Sequence, residues 1–298
     1  MTFNSSPRQT LSYLRNLFET HGIEPKSKLG QNFLIDLNLL DILAQAAELT
    51  PQDLVVEIGS GTGSLTARLA DQAGFILGVE VDPAFVELLR EAVGRRQNLR
   101  IVHADALKNK NEINPRVLTA LDELWRESGC ARLKLVANLP YAVAVPVIGN
   151  FLISSLAFER MVVTVQWEIA ERLLAEPGSK DYGALTVLVQ SLAAVSLVRK
   201  LPPAVFWPRP QVASAIVLIR PEAEKRARVG DVLRFRHFLR DLYVHRRKNL
   251  RGGLAGLPSG RRDKAEVDQK LAQLGIDGTL RAETLDVEQH LRLCEMFG

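Results

Sequence analysis

Short apolar runs alternate with stretches of helical periodicity through the first two thirds of the chain. Apolar positions that recur every three to four residues predict helices over 37–49, 65–72 and 83–93. The runs between and after them predict strands over 54–58, 75–80, 99–102, 133–137, 161–166, 196–200 and 213–220. Strand and helix in alternation indicate βαβ units, so the sequence predicts an α/β fold with a mostly parallel sheet.

The last quarter of the chain has only helical periodicity. Before it, residues 221–231 (PEAEKRARVGD) carry many charges and almost no large apolar side chains, which is typical of a linker. We therefore predict an α/β domain over 1–222 and a small all-helical domain over 223–298. Within the first domain, residues 1–30 are predicted to form an N-terminal helix and a loop.

Charge is distributed unevenly between the two predicted domains. The chain has 298 residues and a formal net charge of +4. Residues 223–298 hold 16 Lys and Arg against 11 Asp and Glu, a charge of +5, which leaves −1 for residues 1–222. This basic excess indicates an acidic partner for the last quarter of the chain.

The sequence contains no pattern typical of a membrane span, a secretory signal or a cysteine motif. No apolar run reaches the ~18 residues that a membrane span needs, and the N-terminus has no apolar core of a secretory signal. The two cysteines, Cys130 and Cys294, are far apart and form no CxxC motif. We expect a cytoplasmic protein with no membrane association, no disulfide framework and no metal site.

Glycines and carboxylates follow the first three predicted strands. GSGTGS comes after the first strand and contains Gly59, Gly61 and Gly63, which allow a sharp turn and a close approach to a ligand. Glu80 ends the second strand and Asp105 follows the third. Ligands of open α/β sheets bind at the carboxyl ends of the strands, so these residues predict a ligand site. A carboxylate at the Glu80 position can accept hydrogen bonds from both hydroxyls of a ribose.

The fourth predicted strand ends in NLPY, residues 138–141, at the same edge of the sheet. Together with the glycine loop and the two acidic strand ends, this motif resembles S-adenosylmethionine-dependent amino-methyltransferases. SKLGQNFLID (27–36), FWPRPQVASAIVLI (206–219) and HRRKNLRGGL (245–254) extend the resemblance to the ribosomal RNA adenine N6,N6-dimethyltransferase family, in its small-subunit (16S) branch. It covers roughly residues 25–298. It implies a Rossmann-like class I methyltransferase domain.

The resemblance implies a role for each motif residue in binding the methyl donor, S-adenosylmethionine. Glu80 is expected to bind the donor's ribose, Asp105 its adenine, and Glu57 its methionine amine. The other expected donor contacts are Asn32, Leu34, Gly59, Gly61, Gly63 and Asn138. No metal is required for this chemistry.

The acceptor is expected to meet the NLPY corner. The lone pair of adenine N6 is delocalised into the ring, so the enzyme must aim it at the methyl group. The side-chain oxygen of Asn138 and the backbone carbonyl of Leu139 can accept the two N6 hydrogens. Pro140 stiffens the turn. Tyr141 is expected to stack on the flipped base, and Phe206 is the candidate for its opposite face.

A basic segment in the predicted helical domain is the candidate RNA surface. RFRHFLRDLYVHRRKNLR (234–251) holds seven Lys and Arg and one acid. If this segment is one helix, a single face carries its regularly spaced arginines. The predicted RNA contacts are Arg236, Arg240, Arg247, Lys248 and Arg251.

The resemblance implies an enzyme, expected to be a monomer, that dimethylates two adjacent adenines in a hairpin near the 3′ end of small-subunit rRNA during subunit assembly. Three alternatives stay open. One is a large-subunit rRNA methyltransferase, and another is a non-catalytic assembly factor, since Ala142–Val145 replace residues that are polar in the family. The third, a nicotinamide oxidoreductase, is disfavoured because Ser64 stands where GxGxxG needs glycine.

Overall fold

The computed structural model describes residues 10–26, 30–94 and 96–298. Its packing divides the chain into two compact units: unit 1 contains the residues up to 170 together with 196–220, and unit 2 contains 171–195 together with 221–298. The predicted division assigned 171–195 to the first domain. These residues belong to unit 2 because a helix over Ala184–Gln190 packs on helices near the C-terminus, a contact that local periodicity does not reveal.

Unit 1 is built on a sheet of seven strands among the described residues, in the order β4-β3-β2-β7-β8-β11-β9. These are β2 (Asp53–Ile58), β3 (Phe75–Glu80), β4 (Leu99–His103), β7 (Arg132–Asn138), β8 (Phe158–Gln166), β9 (Ala193–Leu201) and β11 (Ser214–Pro221). Neighbours from β4 to β8 are parallel, and β11 runs antiparallel to β8. The predicted α/β fold with a mostly parallel sheet is confirmed.

Helices flank this sheet, and two small strand pairs accompany it. The helices of unit 1 are α1 (Leu11–His21), α2 (Leu37–Ala46), α3 (Ser64–Ala70), α4 (Pro83–Val93), α5 (Pro115–Ser128) and α6 (Ala144–Ile153), and α7 (Trp167–Leu174) follows β8. Strand β1 (Phe33–Leu34) pairs with β10 (Phe206–Trp207), and β5 (Leu107–Asn109) pairs with β6 (Glu112–Ile113). The predicted strands and helices lie within a few residues of the observed ones.

Side-chain caps explain where the helices start. Asp36, Asp82 and Asn114 each accept a hydrogen bond from a first-turn backbone N–H of α2, α4 and α5. Proline occupies the first helical position of α4 and of α5, where its missing N–H costs nothing. The start of α4 therefore follows directly from the sequence DP after β3.

An aromatic cluster joins the N-terminal elements of unit 1 to the sheet. The ring of Phe18 contacts those of Phe33, Phe85 and Trp207, and Phe33 also contacts Phe85. The ring centroids in these contacts are 5.1–5.5 Å apart. Edge-on and tilted ring contacts of this kind stabilise by about 0.5–1.5 kcal/mol each beyond area burial. The cluster fixes the segment around β1 against α4.

Unit 2 is helical. It contains α8 (Ala184–Gln190), α9 (Ala223–Val229), α10 (Val232–Val244), α11 (Leu250–Ala255), α12 (Lys264–Leu274) and α13 (Val287–Phe297). The prediction of a linker over 221–231 is wrong, because α9 occupies most of it. This helix buries no side chain and is supported by polar contacts such as the pair of Lys225 with Glu222, so it leaves no apolar periodicity in the sequence. Across the described ranges, no helix is long and apolar enough to cross a membrane.

Candidate functional site

A cavity of about 200 Å³ lies in unit 1 at the carboxyl ends of β2, β3, β4 and β7. The glycine loop after β2, the end of β3, the turn after β4 and the NLPY corner after β7 all contribute to its wall. Predicted site residues that line it are Asn32, Gly59, Gly61, Glu80, Asp105, Asn138 and Pro140. The sheet topology therefore brings together motifs that are spread over more than a hundred residues.

The glycine loop and the NLPY corner are in direct contact. Gly59 has φ of +76°, a left-handed conformation that glycine adopts without strain. A Cβ atom at Gly59 would lie 2.8 Å from Cγ of Pro140, closer than any real contact. Glycine is needed here for both reasons. The loop and the corner thus form one continuous wall.

Glu80 is held by three backbone N–H groups. Oε2 accepts from Gly61 at 2.9 Å, and Oε1 accepts from Val81 and Asp82 at 2.9 Å each. Burial raises the pKa of Glu80, and the three hydrogen bonds oppose that rise. The backbone fixes the orientation of this carboxylate on the cavity wall before any ligand arrives.

Asp105 is exposed and also lines the cavity. Its Oδ1 accepts from the backbone N–H of Leu107 at 2.9 Å, which closes the turn after β4. Within the described ranges, no hydrogen bond uses its Oδ2. One carboxylate oxygen is therefore committed to the loop and the other is available to a ligand.

Three residues that the sequence reasoning missed fasten the segment before β1 to the end of β3. Asp82, only 3% exposed, accepts from Lys26 Nζ at 2.8 Å and from Gln31 Nε2 at 3.3 Å. Gln31 in turn accepts from the backbone N–H of Lys26 at 2.6 Å. These bonds lower the pKa of Asp82, although burial acts to raise it. We call Lys26, Gln31 and Asp82 the strap cluster, and it holds Asn32 and Phe33 over the cavity.

Glu57 does not line the cavity. It is 1% exposed and accepts from the hydroxyl of Thr66 at 2.5 Å. Burial raises its pKa to about 8, against the lowering effect of the Thr66 bond. The predicted contact with the methionine amine has no support here, because the side chain of Glu57 is buried in the core and bonded to Thr66 of α3. Leu34, at 4% exposure, is likewise part of the core. Gly63 caps α3.

The amide of Asn138 has a defined orientation. Its Nδ2 donates to the backbone carbonyl of Asn32 at 3.0 Å. Because a carbonyl only accepts, the nitrogen must face Asn32, and Oδ1 is the atom left for another donor. Among the described residues, no hydrogen bond reaches the carbonyl oxygen of Leu139 either. The corner therefore offers two acceptors beside the cavity.

Tyr141 is held at its hydroxyl end. Its Oη lies 2.6 Å from Oγ of Ser214, a residue the sequence reasoning did not single out. Burial raises the pKa of Tyr141, against the effect of the Ser214 bond, so the phenol is neutral at physiological pH. Ser214 is the first residue of β11. The bond fixes the plane of the ring from two strands away.

Phe206 does not form the second wall of a base slot. It is 2% exposed and belongs to the hydrophobic core with Leu34, its partner in the β1–β10 pair. Its ring meets Tyr141 edge-on, with centroids 6.5 Å apart and planes at 69°. A base sandwich needs two parallel open faces. The expected role is therefore corrected: Phe206 supports Tyr141 from within the core.

The predicted single basic helix is wrong. α10 ends at Val244, and Asn249 caps α11 by accepting from the N–H of Gly252 at 3.0 Å. The intervening turn carries Arg247 and Lys248, both exposed. Two of the predicted contacts are in ion pairs: Arg240 with Asp241 at 2.8 Å and Arg251 with Asp268 at 2.7 Å.

The other part of that prediction, the buried face of α10, is confirmed. Phe235, Phe238, Leu239 and Leu242 are each at most 4% exposed. Arg236, also on α10, is partly buried, and burial beside Arg240 lowers its pKa. The predicted basic residues are therefore divided among α10, the turn after it and α11.

Three comparisons with known proteins agree on the family. Residues 23–297 match the model of the ribosomal RNA adenine dimethylase family. The chain is 41% identical to ribosomal RNA small subunit methyltransferase A of Pelotomaculum thermopropionicum, over 95% of each chain. It is 39% identical to the protein of the same name from Pediococcus pentosaceus, over 94% of this chain and 92% of that one.

Solved structures show the same fold. A dimethyladenosine transferase from Plasmodium falciparum superposes with a TM-score of 0.69 at 24% identity, over 87% of this chain and 94% of that one. The 23S rRNA methyltransferase ErmE superposes with a TM-score of 0.61 at 27% identity, over 89% and 99%. With the family model spanning nearly the whole chain and relatives close to 40% identical, the protein belongs to the ribosomal RNA adenine dimethylase family.

Proposed function

We propose that this protein transfers methyl groups from S-adenosylmethionine to N6 of adenines in small-subunit ribosomal RNA. The observation that carries this is the orientation of Asn138, whose Nδ2 is committed to Asn32 and whose Oδ1 remains an acceptor beside the cavity. An exocyclic amine is the group that such an acceptor suits. Family membership and the names of the relatives support the same reaction.

The cavity residues fit the donor. Glu80 presents a fixed carboxylate for a ribose, and Asp105 presents a free oxygen for the amine of an adenine ring. Gly59 keeps the loop backbone bare. When bound, S-adenosylmethionine supplies an electrophilic methyl group on a positively charged sulfur. Asn32, between the strap cluster and Asn138, joins the two halves of the site through its carbonyl.

The acceptor residues align the amine. Asn138 Oδ1 and the carbonyl of Leu139 accept hydrogen bonds from the two N–H groups of adenine N6. These bonds direct the lone pair of N6 at the methyl carbon. The same oxygens stabilise positive charge as it develops on the nitrogen, an effect worth about 10²–10³ in rate for one such partner. Tyr141, fixed by Ser214, stacks on the base. The proton then leaves from N6 to water.

The finer details of the substrate are also proposals. We propose two adjacent adenines in a 3′-end hairpin as the target, each dimethylated, within an assembling 30S subunit, and a cytoplasmic monomer as the active form. The exposed turn with Arg247 and Lys248 is the proposed phosphate contact of unit 2. Reversing both to Glu should weaken RNA binding and reduce its salt slope by about 0.7–0.9 per contact. An unchanged slope would remove the turn from the interface.

The test is mass spectrometry of ribosomal RNA from cells that lack this protein. Small-subunit RNA should lack dimethyladenosine, and the wild-type gene should restore it while Asn138→Ala should not. Restoration by Asn138→Ala to the wild-type level would contradict the mechanism. Loss confined to large-subunit RNA would instead support the large-subunit alternative.

The same cells separate catalysis from assembly. If Asn138→Ala corrects a defect in subunit assembly but leaves the RNA unmethylated, the protein has an assembly role beside its chemistry. If the strain that lacks the protein has no loss of dimethyladenosine in any ribosomal RNA, the non-catalytic alternative is correct.

A further inference from the structure

A tryptophan and a lysine form a stacked pair near the NLPY corner. Nζ of Lys200 lies 3.7 Å from the centroid of the Trp167 ring. Trp167 is partly exposed and follows the last residue of β8, while Lys200 is exposed on β9, the edge strand of the sheet. Both residues belong to unit 1.

Two contacts connect this pair to the acceptor tyrosine. The backbone N–H of Trp167 donates to the carbonyl of Ala213 at 2.8 Å. The next residue, Ser214, holds the hydroxyl of Tyr141 at 2.6 Å. Trp167 is therefore hydrogen-bonded to the residue that directly precedes Ser214, which holds Tyr141. It follows β8 at the same edge of the sheet as the NLPY corner.

Lys200 has no anionic partner among the residues that the structure describes. In the parts of the chain that are described, no carboxylate lies within ion-pair distance of Lys200, whereas many other surface cations of unit 1, such as Lys108, are paired. An ammonium over an indole is attracted by the ring but keeps its full charge. The pair thus presents an aromatic surface and an unneutralised cation side by side.

We propose that Trp167 and Lys200 bind a nucleotide that flanks the target adenine in the RNA, an inference that rests on the proposed function. A base that is flipped out for methylation deprives its neighbour of a stacking partner. The indole face away from Lys200 replaces that partner, and the ammonium contacts the adjoining phosphate. Stacking of this kind is tolerant of sequence, because every base has a π face.

The test measures RNA binding and methyl transfer for Trp167→Ala, Trp167→Phe and Lys200→Met, with a small-subunit RNA fragment that the wild-type protein methylates. Trp167→Ala should raise Kd and KM for the RNA about tenfold or more, with kcat and donor affinity unchanged. Trp167→Phe should recover most of the affinity. Lys200→Met should reduce the salt slope by about 0.7–0.9, the value for one phosphate.

Matched controls are available in unit 1. Trp125, 38% exposed on α5, controls for loss of a surface tryptophan, and Lys108, paired with Glu112, controls for loss of a surface cation. Trp125→Ala and Lys108→Met should leave RNA binding unchanged. 2-Aminopurine placed beside the target adenine should be quenched on binding to the wild type and not to Trp167→Ala, a readout that a merely structural role would not change.

The inference is overturned if Trp167→Ala binds the RNA within twofold of the wild type. It is also overturned if Lys200→Met keeps the wild-type salt slope. Should Trp167→Ala fail to bind the donor, which would indicate misfolding, Trp167→Phe and the probe beside the adenine decide the question. Failure of the proposed function has a different signature, because the wild-type protein would then methylate no small-subunit RNA.

Discussion

The two halves of the site are built in different ways. On the donor half, backbone groups orient the side chain that meets the ligand: three N–H groups hold Glu80. On the acceptor half, each side chain has one such partner and is otherwise open: the amide of Asn138 donates to the backbone carbonyl of Asn32, and the hydroxyl of Tyr141 bonds to the side chain of Ser214. A donor that is identical in every turnover suits a pre-formed backbone cradle. An acceptor that arrives within a large RNA needs an open corner with unfilled acceptors.

This difference predicts which measured quantity each substitution should change. Changes on the donor half should alter donor affinity and leave the rate at saturating donor nearly intact. Changes on the acceptor half should alter RNA binding or the rate and leave donor affinity nearly intact. Among the described residues, one hydrogen bond joins Asn138 to the segment before β1, and it is accepted by the carbonyl of Asn32. The separation of the two effects depends on this bond.

Removing the carboxylate of Glu80 should have the largest effect on the donor half. Glu80→Ala leaves the N–H groups of Gly61, Val81 and Asp82 without an acceptor and the ribose hydroxyls without a partner. Unsatisfied buried groups cost about 1–3 kcal/mol, so donor binding measured by calorimetry should weaken roughly 10- to 100-fold. Glu80→Gln, which keeps one acceptor oxygen, should lose less. Unaltered donor affinity in both variants would remove Glu80 from the site.

Tyr141 should show the matching effect on the acceptor half. Tyr141→Ala removes the ring, and the loss of a base–aromatic stack should lower kcat/KM for RNA by about 10- to 100-fold, or roughly 1–3 kcal/mol. Tyr141→Phe keeps the ring and loses only the bond to Ser214, so it should retain most activity. Steady-state kinetics with varied RNA gives both values. If Tyr141→Phe is as poor as Tyr141→Ala, the hydroxyl and not the ring carries the function.

Much of this site follows from local sequence together with one topological rule. The glycine loop, Glu80, Asp105 and Asn138 each end a strand, and carboxyl ends of parallel strands share an edge, so their convergence is predictable. Partners distant in sequence are not. Lys26 and Asp82 are 56 residues apart, and nothing in either local pattern indicates their contact.

The errors have equally specific causes. Phe206 was expected to face the base because of the family resemblance, but its pairing with Leu34 places its side chain in the core. The basic segment of unit 2 was expected to be one helix because its arginines keep helical spacing. The capping side chain of Asn249 starts a new helix instead, and capping competes locally with helix continuation.

Substitution of Glu57 tests whether this buried acid, like Glu80, binds the ligand or has only a structural role. Its pKa is about 8, so between about pH 4.5 and pH 8 the folded chain holds a proton that the unfolded chain has released. Stability from this group is complete below pH 4.5 and declines as the pH rises toward 8. Relative to Glu57→Gln, the wild type should lose up to about 1.4 kcal/mol of unfolding free energy per pH unit in this window.

Urea unfolding of both proteins from pH 5 to pH 8 measures this loss. Parallel pH profiles would show that Glu57 is ionised in the folded state. Donor affinity at pH 7 should be similar in the two proteins, since Gln resembles the protonated acid. A strong loss of donor affinity in Glu57→Gln would instead restore the predicted contact with the methionine amine.

The strap cluster should give the smallest effect. Lys26→Met removes the cation beside buried Asp82 and loosens the segment that carries Asn32 over the cavity. Because Lys26 is 57% exposed at its side chain, solvent screening limits the loss to about 1 kcal/mol or less, a several-fold weaker donor affinity at most. Lys26→Arg should recover it. Titration that finds Lys26→Arg as weak as Lys26→Met would show that the ion pair is not what matters.

The central claim is that Asn138 acts on the acceptor amine and not on the donor. A single-turnover titration of Asn138→Ala with donor, at saturating RNA, tests it most directly, because the plateau reports the transfer rate and the midpoint reports donor affinity. The plateau should fall by about 10²-fold or more, and the midpoint should move only a few-fold. A plateau near the wild-type value, or a midpoint shifted as far as in Glu80→Ala, would contradict the account.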